Sequence, residues 1–460
     1  MNLNPINPAN TVFIALTFEG PDLYSMAGGL GVRITHITET LSNMGYEVHH
    51  FFIGDPNEPG LEFRMGGNLI FHRWCQWISH YHPNGVYDGE EGKLNDFNDS
   101  IPSYIVDHIA APAIMQGKLV VILGEEWHTA EVMCRLSDLL YCNGLRDNTI
   151  MFWNANNTYG FDRINWGRLA FTTTITTVSK YMRTVMQGMG INALVIPNGI
   201  PEELLYDVDY GQITEFRDLF DADLVLSKVA RWHQDKNWEA TVEAVAKLKG
   251  DGRRPMLLAR GGVEPYGGYI LDKARHMGLD VTNVYLEEDV SECFRMACEQ
   301  GDYSPYMRAF SESGPADVFN LNFPVPQAFL RIIYGSSDVV LANSAHEPFG
   351  IVGLEAMAVG SVVFTGCTGE DYALHMLNSV VLDTYDADEI RFYINNLQDH
   401  PAQAQILRFA AKQMAGQFVW EEVLKKLMNK IEQQALKQGV YIHSIPQLEL
   451  SRESELVAVC

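Results

Sequence analysis

The chain is 460 residues long, 47% hydrophobic and 20% charged, with a net charge of −25. That length exceeds one ordinary core and predicts two or three domains of a globular protein. The acidic balance excludes general nucleic-acid binding and broad adhesion to anionic membranes, and no apolar run approaches the roughly 20 residues that cross a bilayer.

The N-terminus, MNLNPINPAN, has neither a basic stretch nor an apolar core, which predicts no secretory leader. Seven cysteines lie scattered without a CxxC or a paired spacing, as expected in a reducing, cytoplasmic setting. The first strand is TVFIALTF (11–18), an apolar run with β-branched members. After the loop EGPDLYSMAGG, Leu30, Ile34, Ile37, Leu41 and Met44 recur at steps of four and three, which marks an amphipathic helix. Gly45 ends it, and EVHHFFIG (47–54) completes a βαβ unit. LVVILG (119–124), TIMFWN (149–154), FTTTITTVS (171–179) and ALVIPNG (193–199) repeat the theme.

A second series follows: LVLSKVA (224–230), PMLLARGG (255–262), ADVFNLN (316–322), SDVVLAN (337–343), SVVFTG (361–366) and SVVLD (379–383), with helical stretches such as WEATVEAVAKLKG (238–250) between them. The alternation predicts parallel sheets with helices on both faces. The expected fold class is α/β, with two doubly wound, Rossmann-like domains over 1–200 and 201–415 joined near PEELLYDVDYGQ (201–212). Ligands of such sheets bind beyond the carboxyl ends of the strands, so two domains facing each other would hold theirs in a central cleft.

Three motifs sit just after strands. SMAGGLG (25–31) opens the first helix, where Gly28 and Gly29 let backbone approach a ligand and the helix end favours an anion; the same glycines also suit a bare turn. KVARWHQDKN (228–237) places Arg231 and Lys236 beyond a strand. They stand in a 201–400 segment with 15 basic against 33 acidic residues. Guanidinium and ammonium groups there suit a diphosphate and the charge that develops as it leaves; the alternative is two solvated charges. In ANSAHEPFGIVGLEAMAVG (342–360), Pro348 suits a first helical turn. The amides of Phe349, Gly350 and Ile351 are then expected to be free for an anion. Glu347 falls in the loop and Glu355 about two turns into the helix. Carboxylates accept hydrogen bonds from hydroxyls, so two polyol ends of one ligand suit this pair.

In this order the motifs resemble a GT-B glycosyltransferase, most closely the large retaining family four, whose signature is Glu, seven residues, Glu. VIPNGI (195–200) and FVWEEV (418–423) add to the resemblance. It implies that Glu355 binds ribose hydroxyls, that Glu347 contacts the transferred sugar, and that Arg231, Lys236 and the amides near Phe349–Ile351 hold the diphosphate. It also implies that a helix over 416–436 crosses back to the first domain, leaving 437–460 as a tail. Glycogen and starch synthases, more distant relatives, carry Trp-His-Thr after a first-domain strand. EEWHTA (125–130) matches it, which places His128 beside the sugar. Where those synthases have a Lys two residues before the paired glycines, this chain has Met26, a departure from polyglucan synthesis.

The function implied is transfer of a hexose from a UDP-, ADP- or GDP-sugar to a carbohydrate or other hydroxyl acceptor, with retention. No metal or further cofactor is expected, and the oligomeric state stays open. His128, Glu347, Arg231 and Lys236 are the candidate catalytic residues. The alternatives are a nucleotide-sugar epimerase of the same fold and a non-catalytic binding protein. Residues 71–91, FHRWCQWISHYHPNGVYDGEE, are either an acceptor-recognition element or an insertion with its own aromatic core. Within it, His80 and His82 lack a third metal ligand.

Overall fold

The structure is a computed structural model that describes residues 6–366, 368 and 370–440. The chain divides into two compact units: 1–177, 186–196 and 424–460 form unit 1, and 178–185 with 197–423 form unit 2. The last helix, Trp420–Lys437, starts in unit 2 and is counted with unit 1 from Leu424 onward. Most of the tail, 441–460, lies outside the described residues.

Unit 1 is built on β1 (Thr11–Leu16), β2 (Glu47–Ile53), β3 (Leu61–Arg64), β4 (Leu69–Trp74), β5 (Leu119–Glu125), β6 (Thr149–Ala155), β7 (Thr174–Thr177) and β8 (Leu194–Val195). They order as β3-β4-β2-β1-β5-β6-β7-β8. Every pair is parallel except β3 against β4. β1, β5 and β6 are buried along their whole length, as befits strands covered on both faces.

Unit 2 uses β9 (Leu224–Val229), β10 (Pro255–Arg260), β11 (Val281–Val284), β12 (Val318–Leu321), β13 (Val339–Ala342), β14 (Val363–Thr365) and β15 (Val380–Val381). The order is β11-β12-β10-β9-β13-β14-β15, parallel throughout. Leu224 and Leu226 face a core made with Trp238, Val242 and Val245 of the helix Trp238–Gly250. Val225 packs into a second core with Phe216, Phe310 and Phe329. The period of two along β9 thus feeds two layers.

Both sheets reverse their winding next to their first strand. In unit 1, β1 has β2 on one side and β5 on the other; in unit 2, β9 has β10 and β13. These are the switch points where open α/β sheets bind ligands. One expectation needs correction: residues 71–74 of the aromatic segment belong to β4, inside the sheet, and not to a separate insertion. His72 is buried there by stacking on Phe51 at 4.1 Å. Arg73 is buried by a pair of bonds to Asp22 at 2.8 and 2.9 Å. Polar residues hid a strand whose partners supply their hydrogen bonds.

Candidate functional site

In unit 1 the switch point brings together the loop after β1 and the segment after β5. The helix Gly29–Asn43 begins behind Gly28. Its start is already occupied by a carboxylate: Glu19 Oε2 accepts the Gly28 amide at 2.9 Å and the Gly31 amide at 3.0 Å. Tyr87 donates its hydroxyl to Glu19 Oε1 at 2.6 Å. The expectation of a free amide is therefore corrected at Gly28. Glu19 was missed, although an acid directly after the first strand was visible in the sequence. Gly29 itself has nothing within 4 Å of a Cβ built on it, and Met26 brings no cation to the loop.

His128 stands on the short turn Trp127–Thr129 that follows β5. Its ring lies between Phe18 at 4.2 Å and Trp127 at 3.8 Å, and only 4% of it is exposed. Nε2 meets Glu90 Oε1 at 2.8 Å. Burial pulls the imidazole down to about 4, against the opposing pull of Glu90, so it is neutral at pH 7. Tyr87 and Glu90 both come from the end of the aromatic segment and the helix it leads into, Glu90–Ile105. The segment therefore shapes the unit 1 site directly.

The residue before this turn is unusual. Glu126 adopts φ 65 and ψ 169, a region that strains any side chain with a Cβ. It is buried, and its Oε1 accepts the Asn156 amide at 2.7 Å. Burial pushes its carboxyl up to about 8. Its neighbour Glu125 is matched instead by Arg33 at 3.3 Å and by the amides of Asn154 and Asn156, each at 2.9 Å.

In unit 2 the loops after β9 and β13 are tied by the Ala345 amide, which donates to the Asp235 carbonyl at 2.7 Å. That tie sets Lys236 and Glu347 in a direct ion pair, both partly buried. Sequence reasoning placed the two at separate strand ends; the structure joins them. Arg231 is exposed and makes no ion pair among the described residues.

The helix Ile351–Val359 follows behind Gly350. Two of the three amides expected to be free are engaged. The Gly350 amide donates to Glu370 Oε2 at 3.0 Å, and the Ile351 amide to the Phe349 carbonyl at 3.1 Å. Phe349 is buried against Tyr372 and Phe418. Tyr372, fully buried, donates its hydroxyl to the Gly350 carbonyl. Burial first, and then the charges of Glu370, Glu347 and Glu355, push that phenol up.

The glycines of EPFGIVGLE make this packing possible. A Cβ on Gly353 would stand 2.5 Å from the Tyr372 hydroxyl oxygen, and one on Gly350 would stand 2.6 Å from Glu370 Oε1. Glu355 is half-buried, and burial pushes its carboxyl up to about 7, opposed by a hydrogen bond from Gln327. Glu370 rises to about 8, again chiefly by burial. Neither Glu370 nor Tyr372 carried a sequence signal, because their relation to Gly350 exists only in three dimensions. Among the described residues no group of three or more His, Cys, Asp or Glu is placed to hold a metal, and no helix is long and apolar enough to cross a membrane.

Residues 308–414, which include Glu347, Glu355 and Glu370, match the family model for glycosyl transferases group 1. A D-inositol 3-phosphate glycosyltransferase of Thermobispora bispora is 30% identical over 119 residues, 25% of this chain and 28% of that protein. The chain spans only 26% and 28% of the first two curated relatives it matches. Sucrose-phosphate synthase from Thermosynechococcus elongatus superposes with a TM-score of 0.60 at 17% identity, over 93% of this chain and 99% of that one. Anabaena HepE in complex with UDP-glucose gives 0.58 at 13% identity, over 92% and 100%. Residues 308–414 thus resemble a group 1 glycosyltransferase domain, and the chain shares the two-domain α/β fold of these solved structures, the GT-B fold.

Proposed function

We propose that the protein is a glycosyltransferase that moves a hexose from a nucleotide diphosphate sugar to a hydroxyl acceptor, with retention at the anomeric carbon. One observation carries the reading: the Lys236–Glu347 pair at the switch point of the unit 2 sheet, ahead of a helix that holds Glu355. The group 1 match over the same helix supports it, as does a structural neighbour whose complex holds UDP-glucose.

In this reading unit 2 is the donor domain and unit 1 the acceptor domain. Lys236, with Arg231 at the same strand end, holds the diphosphate and stabilises its charge as it departs. Glu347 exchanges its bond to Lys236 for hydroxyls of the sugar, and ionised Glu355 accepts from the ribose. Within unit 1 the neutral His128, fixed by Glu90, Phe18 and Trp127, is assigned to the sugar and acceptor. No carboxylate is assigned as a covalent nucleophile, and no metal is invoked. The five free cysteines among the described residues favour the cytoplasm as the place of action.

The test is a melting-temperature series with UDP, ADP and GDP and with their hexoses, followed by product analysis with the sugar that stabilises most. A ligand that binds only the folded state raises the melting temperature according to its affinity. No shift with any of the six ligand types would remove the donor reading. If a nucleotide binds, unchanged affinity in both Glu355→Ala and Arg231→Ala would remove the assignment of those residues.

A further inference from the structure

Lys228 is out of place in its strand. It continues the file of Leu224 and Leu226 along β9, on the face covered by the helix Trp238–Gly250. Only 1% of it is exposed. Among the described residues it makes no ion pair. Its Nζ donates to Asn343 Oδ1 and, at 3.4 Å, to the Leu341 carbonyl, and it stands 5.2 Å from the Trp238 ring centroid. A buried ammonium with no carboxylate partner carries a large desolvation cost.

The position is informative. Asn343 ends the SDVVLAN run, four residues before Glu347, and Lys228 lies eight residues before Lys236. The charged groups that act on the amine are those two, Lys236 and Glu347. From the other elements packed on it come Leu341 of β13 and Asn343 just after it, Trp238 of the helix, and Ala259 of β10, while Thr241 bonds Asn343 behind them, and none of these titrates. Burial first, and Lys236 second, press the amine toward its neutral form, while Glu347 opposes them.

We propose that Lys228 takes up a proton from solution when a nucleoside diphosphate binds at Lys236. The inference rests on the donor reading of that site. In the free protein Lys236 is neutralised by Glu347. A diphosphate brings additional negative charge to the same place, and an opposite charge nearby favours the ammonium form. The step is a simple protonation: one N–H bond forms at Nζ, and the proton comes from buffer. Lys228 is thus a positioning residue whose positive charge grows when the ligand binds, tied through Asn343 to the loop that carries Glu347.

The experiment is calorimetric titration of the full chain with UDP, ADP and GDP in buffers of different ionisation enthalpy, from pH 6 to pH 10. It is repeated on Lys228→Met and Lys228→Gln; the glutamine keeps a donor for Asn343. Folding of both variants is checked by their cooperative melting. The wild type is expected to take up part of a proton per nucleotide in a window of this range, with affinity falling by up to about tenfold per pH unit across it. Both variants bind with a smaller uptake, keeping only the share of Glu355 and Glu370, which sit at about 7 and about 8. Equal proton counts in wild type and variants, or no uptake by the wild type at any pH, overturn the inference while leaving the donor reading intact. If none of the three diphosphates binds, the donor reading falls, and this inference with it.

Discussion

The two units solve the same local problem with different chemistry. Each ends its first strand at a switch point and holds nearby a helix whose leading glycine amide is bonded to a buried carboxylate. In unit 1 that acid is Glu19, which also caps Gly31 and receives Tyr87. No lysine or arginine pairs with it among the described residues. In unit 2 the acid is Glu370, raised to about 8 and close to a lysine that already holds another acid. A helix end attracts an anion, but a protein is free to supply its own. Unit 1 does so at Gly28 and Gly31. Unit 2 adds a cation, and its capping acid is largely protonated at pH 7, so its capacity for an outside anion is greater.

The largest effect that sharpens this contrast is expected from Lys236→Ala. Removing the cation should lower kcat about 10²–10³-fold, as for loss of one preorganised charge donor. Glu19→Ala should lower it far less. A Glu19 variant whose kcat falls as steeply would show that the unit 1 helix end also serves the reaction. Steady-state kinetics with the best donor decides the matter.

Stability should show the reverse order. Glu19→Ala deprives two amides and a phenol of their acceptor. The expected cost is about 3 kcal/mol in urea unfolding, because each stranded donor keeps its desolvation penalty. Glu370→Ala strands one amide and should cost about 1–2 kcal/mol. Equal losses would mean that the two caps are equivalent.

A finer test uses the glycines. Gly353→Ala drives a methyl to 2.5 Å from the Tyr372 hydroxyl oxygen, a clash expected to cost about 1–3 kcal/mol. Gly29→Ala meets nothing within 4 Å and should stay within about 0.5 kcal/mol of the wild type. A melting-temperature comparison of the two variants is enough. Similar losses would show that the Gly28–Gly29 stretch is as tightly built as EPFGIVGLE.

Which of these features were legible in the sequence follows from their physics. Strands buried on both faces, such as LVVILG, are continuous apolar runs and read directly. The helix over Gly29–Asn43 reads from its period. β4 did not, because His72 and Arg73 owe their burial to Phe51 and Asp22, which lie 21 and 51 residues away in sequence. Lys236 and Glu347 were each legible as residues placed after strands, whereas their pairing across 111 residues was not. The carboxylates that fill the helix ends escaped for the same reason: Glu370 bonds an amide 20 residues earlier. Local pattern reports burial and period. It does not report which polar group meets which.

The smallest effects concern pH, and they run in opposite directions in the two units. In unit 1, burial lowers His50 and His72 to about 3 and His128 to about 4, against about 6.5 in an unfolded chain. A lowered histidine binds its proton more readily when unfolded. Its contribution to stability is present above about pH 6.5 and is lost as pH falls toward the folded value. In unit 2, Glu355 and Glu370 sit at about 7 and about 8, above the roughly 4.3 of free glutamate. Their contribution is complete below about pH 4.3 and is lost progressively as pH rises from there to about 7 and about 8, at most about 1.4 kcal/mol per pH unit for each group. Glu126 in unit 1 shares this alkaline direction at about 8, and in unit 2 the lowered Lys228 of β9 opposes it, so the comparison is made in the double variant Glu126→Gln, Lys228→Met. Hydrogen exchange, corrected for intrinsic rates and read by peptide, should then show β1, β2 and β5 losing protection between pH 7 and pH 5. β9, β13 and the helix Ile351–Val359 should lose theirs as pH rises from 5 to 8. A parallel course in both units would mean that the buried histidines and acids do not set the stability of the sheets that carry them.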